Sequence, residues 1–199
     1  MIGVILGAVV GFWYSHAVTQ SKLEINGSGT GSSGGLVQTQ LQVSNNPRFV
    51  GLQIGRTIVL GKPLHRGVSQ GIIVERVEAK QCTARLIEAE SHEHLAQLWW
   101  DPTGVPADYK TVVSIPCGTS VSLKLFARRE SDVSAYFVFD PDGNGVPKVP
   151  SEDMWFRGNK KFLVEIAYSN GKTLRFHVTV RKSYGGPLYV EHLGGNGSF

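Results

Sequence analysis

Phe162–Arg181 reads FLVEIAYSNGKTLRFHVTVR, and its period is two. Phe162, Val164, Ile166 and Tyr168 fall on one face. Leu174, Phe176, Val178 and Val180 fall on one face of the next run, opposite Arg175, His177, Thr179 and Arg181. Alternation of this kind buries one side of a pleated strand and wets the other. Asn170-Gly171 lies between the runs, and both residues tolerate the positive φ of a tight hairpin turn. Two antiparallel strands joined by a hairpin are therefore expected here.

The same pattern extends outward. Val121, Leu123, Leu125 and Ala127 alternate with Ser120, Ser122 and Lys124, with Phe126 as the exception. Val37, Thr39, Leu41 and Val43 alternate with Gln38, Gln40 and Gln42. Ala135–Phe139 (AYFVF) is continuously apolar, as a strand covered on both faces would be. Turn signals at Pro116-Cys117-Gly118 and Asp142-Gly143 separate these runs. The reading is an all-β sandwich over residues 36–193. In general form, the stretch Thr111–Val180 resembles an immunoglobulin-like or fibronectin-type-III-like sandwich, a resemblance of pattern alone. Residues 194–199 read as a tail.

Composition fits that class. Of 199 residues 24 are Gly, the charged share is 18%, and net charge is +4. A charge this mild, with no Lys/Arg run interleaved with aromatics and no zinc-finger spacing, argues against a nucleic-acid partner.

Ahead of the body, Ile2–Val18 (IGVILGAVVGFWYSHAV) carries no fixed charge. Seventeen helical residues reach about 25 Å, the lower limit for crossing a bilayer. Residues 1–22 are expected to form an apolar helix, a single-pass membrane anchor or an assembly helix. Gly3, Gly7, Gly11 and Ser15 recur every four residues, a row of small side chains on one helix face that permits close helix packing. The competing reading is a cleaved signal peptide, with Ser15 and Ala17 as the small residues before a cut at Val18. Asn26–Gly35 (NGSGTGSSGG) reads as a flexible linker, with residues 23–35 as the tether.

Candidate site residues are few. Asp140, Asp142, Asn144 and the carbonyl of Val146 match the opening of a calcium loop, but position twelve is Ser151 where a bidentate Glu belongs. Standard turn chemistry explains the same residues. His92 and His94 would share a strand face and are weak candidates for a metal; His65, His177 and His192 could complete the set only through the fold. Cys82 and Cys117 form no CxxC motif and are a candidate disulfide outside the cytoplasm. Trp99, Trp100 and Trp155 are candidate aromatics for a protein or sugar partner, or packing at the sandwich ends. The pairs Arg128-Arg129, Lys160-Lys161 and Arg181-Lys182 read as solvated strand ends.

No GxSxG, HExxH, P-loop or post-strand GxGxxG occurs, so no catalytic residues and no cofactor are assigned. The expected role is a non-enzymatic structural or interaction subunit of a membrane complex or cell-surface assembly. Its helix would meet other subunits, and its sandwich would be periplasmic or extracellular. The alternative is a secreted binding module, for carbohydrate among other ligands, released by signal-peptide cleavage.

Overall fold

The computed structural model describes residues 22–33, 35–46, 48–54, 57–59, 71–75, 77–105, 108–157, 159–169, 171–180 and 188–192. The expected N-terminal helix, with Gly3, Gly7, Gly11 and Ser15, lies outside these residues, as do His65 and the tail. Among the described residues no helix is long and apolar enough to cross a membrane.

The strands are β1 (Lys22–Ser33), β2 (Leu36–Asn46), β3 (Arg48–Ile54), β4 (Thr57–Val59), β5 (Gly71–Glu75), β6 (Ala79–Glu88), β7 (His94–Gln97), β8 (Trp99–Asp101), β9 (Val112–Ile115), β10 (Ser120–Arg129), β11 (Ala135–Val138), β12 (Phe156–Arg157), β13 (Lys161–Tyr168), β14 (Lys172–Val180) and β15 (Leu188–His192). A first sheet runs β1-β2-β10-β11-β12, with β8 also on β10. A second runs β15-β14-β13-β6-β7, with β9 also on β6. A small third sheet is β4-β3-β5. Among the described residues the ladders of the first two sheets are all antiparallel.

The two large sheets form a sandwich because their alternating apolar faces fill one shared core. Leu41 and Val43 of β2, Leu123, Leu125 and Phe126 of β10, and Tyr136 of β11 come from the first sheet. Ala84 and Leu86 of β6, Phe162, Val164 and Ile166 of β13, and Phe176, Val178 and Val180 of β14 come from the second. Leu98, fully buried between β7 and β8, is the corner at which the chain passes from the second sheet to the first. Its N–H donates to the Ala84 carbonyl at 2.8 Å, which holds the corner against β6. The β13–β14 hairpin forms as its alternation demands, with residues 169–171 between the paired Tyr168 and Lys172 and Gly171 at φ +93°.

Phe126, the break in the β10 alternation, is explained by a bulge. Lys124 pairs with Gln40 and Phe126 with Thr39, so Leu125 is the extra residue. A bulge lets two consecutive side chains enter the same core and reverses the alternation beyond it. Leu125 and Phe126 are both buried in the inner core, and Ala127 turns to the opposite face. There it meets Leu36, Phe137 and Phe139, with Trp99, Tyr109 and Trp155 packed alongside. The first sheet thus carries an apolar cluster on each face, which is why Ala135–Phe139 has no polar interruption.

The Gly/Ser stretch expected as a flexible linker is instead an edge strand. β1 pairs with β2 from Lys22↔Asn46 to Ser33↔Leu36, with one irregularity between Ile25 and Gly27, and Gly35 at φ +75° helps close the hairpin. Composition misleads here because a strand is held to its neighbour by backbone hydrogen bonds, which glycine and serine supply as well as any residue. β2 is already fixed by β10 and serves as the template.

Candidate functional site

On the outer face of the first sheet lies a polar group that strand alternation had placed in water. Lys124 projects from β10 between Gln40 of β2 and Trp99 of β8, its two cross-strand neighbours. Its ammonium nitrogen lies 3.1 Å from Asp101 Oδ2, and both side chains are only 8% exposed. Nζ also donates to Gln40 Oε1 at 2.6 Å and lies 5.7 Å from the centre of the Tyr109 ring. The other carboxylate oxygen, Asp101 Oδ1, accepts the Gly104 N–H at 2.7 Å. Gly104 holds φ +73°, a conformation that strongly favours glycine.

The Tyr109 ring lies beside the ammonium, and the next residue, Lys110, bonds to Trp100 through both its N–H and its C=O, at 2.9 and 2.8 Å. Tyr109 packs edge-on against Phe139 with ring centres 5.1 Å apart. Burial, and then the Asp101 charge, push the Tyr109 phenol above its ordinary value, against the pull of a hydrogen bond with Gln38. A buried charge pair persists only when hydrogen bonds satisfy its remaining lone pairs and protons. Gln40 and Gly104 each supply one such bond here.

A second ionic group occupies the outer face of the second sheet. Arg85, Glu165 and Arg175 lie directly opposite one another on β6, β13 and β14. Both guanidinium groups contact the Glu165 carboxylate. The carboxylate is 8% exposed while Arg85 and Arg175 are 49% and 60% exposed, so two cations roof one anion.

Of the residues singled out from sequence, the tryptophans are the clearest case of inward packing. Trp100 is fully buried in the inner core and offers no surface to a ligand. Trp99 and Trp155 are partly buried in the outer cluster. Trp155 meets Phe137 at 5.0 Å and Arg129 at 5.1 Å, and its indole N–H donates to the Pro150 carbonyl at 3.1 Å. Trp100 thus packs in the inner core, and Trp99 and Trp155 pack against the outer cluster.

Asp140–Val146 folds as a turn whose acceptors face its own backbone. Asp142 Oδ1 receives the N–H groups of Asn144 and Val146 at 2.8 and 2.9 Å, and Asp140 pairs with Lys148 at 3.2 Å. The carbonyl of Val146, the fourth candidate ligand, accepts the Asp142 N–H at 2.7 Å. His92 sits in the β6–β7 turn at φ +57°, and His94 begins β7 opposite Ile87; both are exposed. Among the described residues no three His, Cys, Asp or Glu side chains are grouped to hold a metal ion. Cys82 and Cys117 are both free thiols, Cys82 buried and Cys117 partly so.

The buried Asp101–Lys124 pair escaped the sequence reading because its two halves come from different strands and its cover from a loop. One signal was present: Asp101 directly follows the Trp99-Trp100 pair, an unusual place for a charge unless it has a partner. The described residues define an all-β fold of two large antiparallel sheets, with an ionic group on the outer face of each. No protein-family profile, curated protein or solved structure matches the chain.

Proposed function

We propose that the chain is a non-enzymatic structural or interaction subunit, anchored through its N-terminal segment, with an immunoglobulin-like or fibronectin-type-III-like sandwich outside the cytoplasm. The observation that carries this reading is the uncharged stretch Ile2–Val18 with its Gly3, Gly7, Gly11, Ser15 row, ending three residues before the first strand. A stretch of that length and polarity fits a bilayer or a helical assembly core, and small residues on one face favour helix–helix contact.

The ordered β1 supports a tighter arrangement than a slack cord. Only Thr19, Gln20 and Ser21 separate Val18 from Lys22. Four residue steps reach at most about 14 Å, so the sandwich would stand close against whatever surface holds the segment. The partners are other subunits at the helix and a protein at the sandwich. Replacing Gly7 and Gly11 together with Leu blocks the small-residue face. In detergent, sizing chromatography should then show a smaller species than the native chain forms; an unchanged elution position contradicts the packing role.

A further inference from the structure

We propose that Asp101 and Lys124 are joined by an intramolecular amide bond, a covalent cross-link between β8 and β10 that the folded chain forms on itself. The observations are geometric. An amine and a carboxyl group lie 3.1 Å apart, each 8% exposed, in a site walled by Tyr109 and the outer aromatic cluster. Asp101 is paired with Ser122, and Lys124 with Trp99, so the two side chains are diagonal neighbours across one ladder. A lysine spans that diagonal without distorting either strand.

Amide formation needs a neutral amine beside a neutral acid, and transfer of one proton from Nζ to Oδ2 across the 3.1 Å contact supplies both. The amine lone pair then attacks Cγ. Negative charge develops on Oδ1, where the Gly104 N–H already donates at 2.7 Å; a backbone donor aimed at that oxygen is how acyl transfer is usually assisted. Gln40 Oε1, 2.6 Å from Nζ, accepts an N–H and fixes the direction of approach. A second proton moves from nitrogen to Oδ2, the Cγ–Oδ2 bond breaks, and water leaves. The Cγ–Nζ bond replaces it. Acid plus amine gives amide plus water, and nothing is oxidised or reduced. The Tyr109 phenol, whose proton is held more tightly than usual, keeps a neutral ring over the site.

The bond would tie a corner strand to the middle of a sheet. β8 follows the Leu98 corner between the two sheets, and β10 is the central strand of the first, paired on one side with β2 and on the other with β8 and β11. A covalent tie at that point prevents the crossing strand from peeling away.

The test is the intact mass of the purified full-length chain, measured against the mass of whichever N-terminus peptide sequencing finds. The native chain should weigh about 18 Da less than its sequence, the mass of one water. A tryptic map should contain a branched peptide joining the segments with Asp101 and Lys124. Lys124→Arg and Asp101→Ala should both return to full mass. Asp101→Asn should lose about 17 Da instead, because ammonia is then the leaving group. A native chain at full sequence mass overturns the proposal, and needs no variant to fold. So does a loss of about 18 Da that persists in Lys124→Arg, which would mark ring closure at Asp142-Gly143.

Discussion

Glu165 sits between Arg85 and Arg175, and its titration follows from that position. Burial pushes its carboxyl up, but hydrogen bonds and charge from Arg175 and Arg85 together outweigh burial and hold it below the usual carboxylate range. A lowered folded value means the stabilisation is complete above the unfolded value of about 4.3 and is lost as pH falls through the folded one. Glu165→Gln should therefore cost about 1–2 kcal/mol at neutral pH, and urea titrations of both proteins should converge as pH falls through the carboxylate range. A difference independent of pH contradicts the assignment. Cys82 moves the opposite way: burial first of all drives its thiol up to about 11. At neutral pH iodoacetamide should modify Cys117 in the folded protein and reach Cys82 only in denaturant; equal rates contradict the buried position. These environments were only partly legible in the chain. Glu165 and Arg175 alternate outward as the period-two pattern requires, yet Arg85 joins them only through the β6–β13 ladder. Lys124 fitted the wet face of its strand equally well, and its contacts with Asp101, Gln40 and Tyr109 come from other parts of the chain.

The bulged strand β10 and the glycine-rich strand β1 show what pattern reading can and cannot recover at the level of elements. Phe126 broke the alternation visibly, and the bulge at Leu125 is the physical content of that break. The ring of Phe126 meets Phe156 and Phe162 with centres 5.1 Å away in each case. Phe126→Ala should cost about 3–5 kcal/mol, read from the denaturation midpoint; a loss under about 1 kcal/mol would mean the site is not a packed core. β1 was illegible for the opposite reason. Its Gly and Ser side chains carry no periodicity, and its order derives from pairing with β2. Amide hydrogen exchange decides the matter: β1 amides bonded to β2 should be protected well above random-coil rates. Uniformly fast exchange from Asn26 to Ser33 would restore a flexible linker.

At the scale of the whole molecule, two six-stranded sheets close on a core supplied by both, and each outer face carries its own ionic group. The sandwich was readable from alternation because the inner faces are apolar at every second residue. Which strands neighbour one another was not, since β6, β10 and β13 meet partners far along the chain. The proposed role requires Ile2–Val18 to remain attached to this body. The measurement that tests it most directly is mass spectrometric identification of the N-terminus of native protein recovered from carbonate-washed membranes or assemblies. Retention of the Ile2–Val18 segment in that fraction is the predicted result. A mature chain beginning at Val18 and recovered free in solution would contradict it.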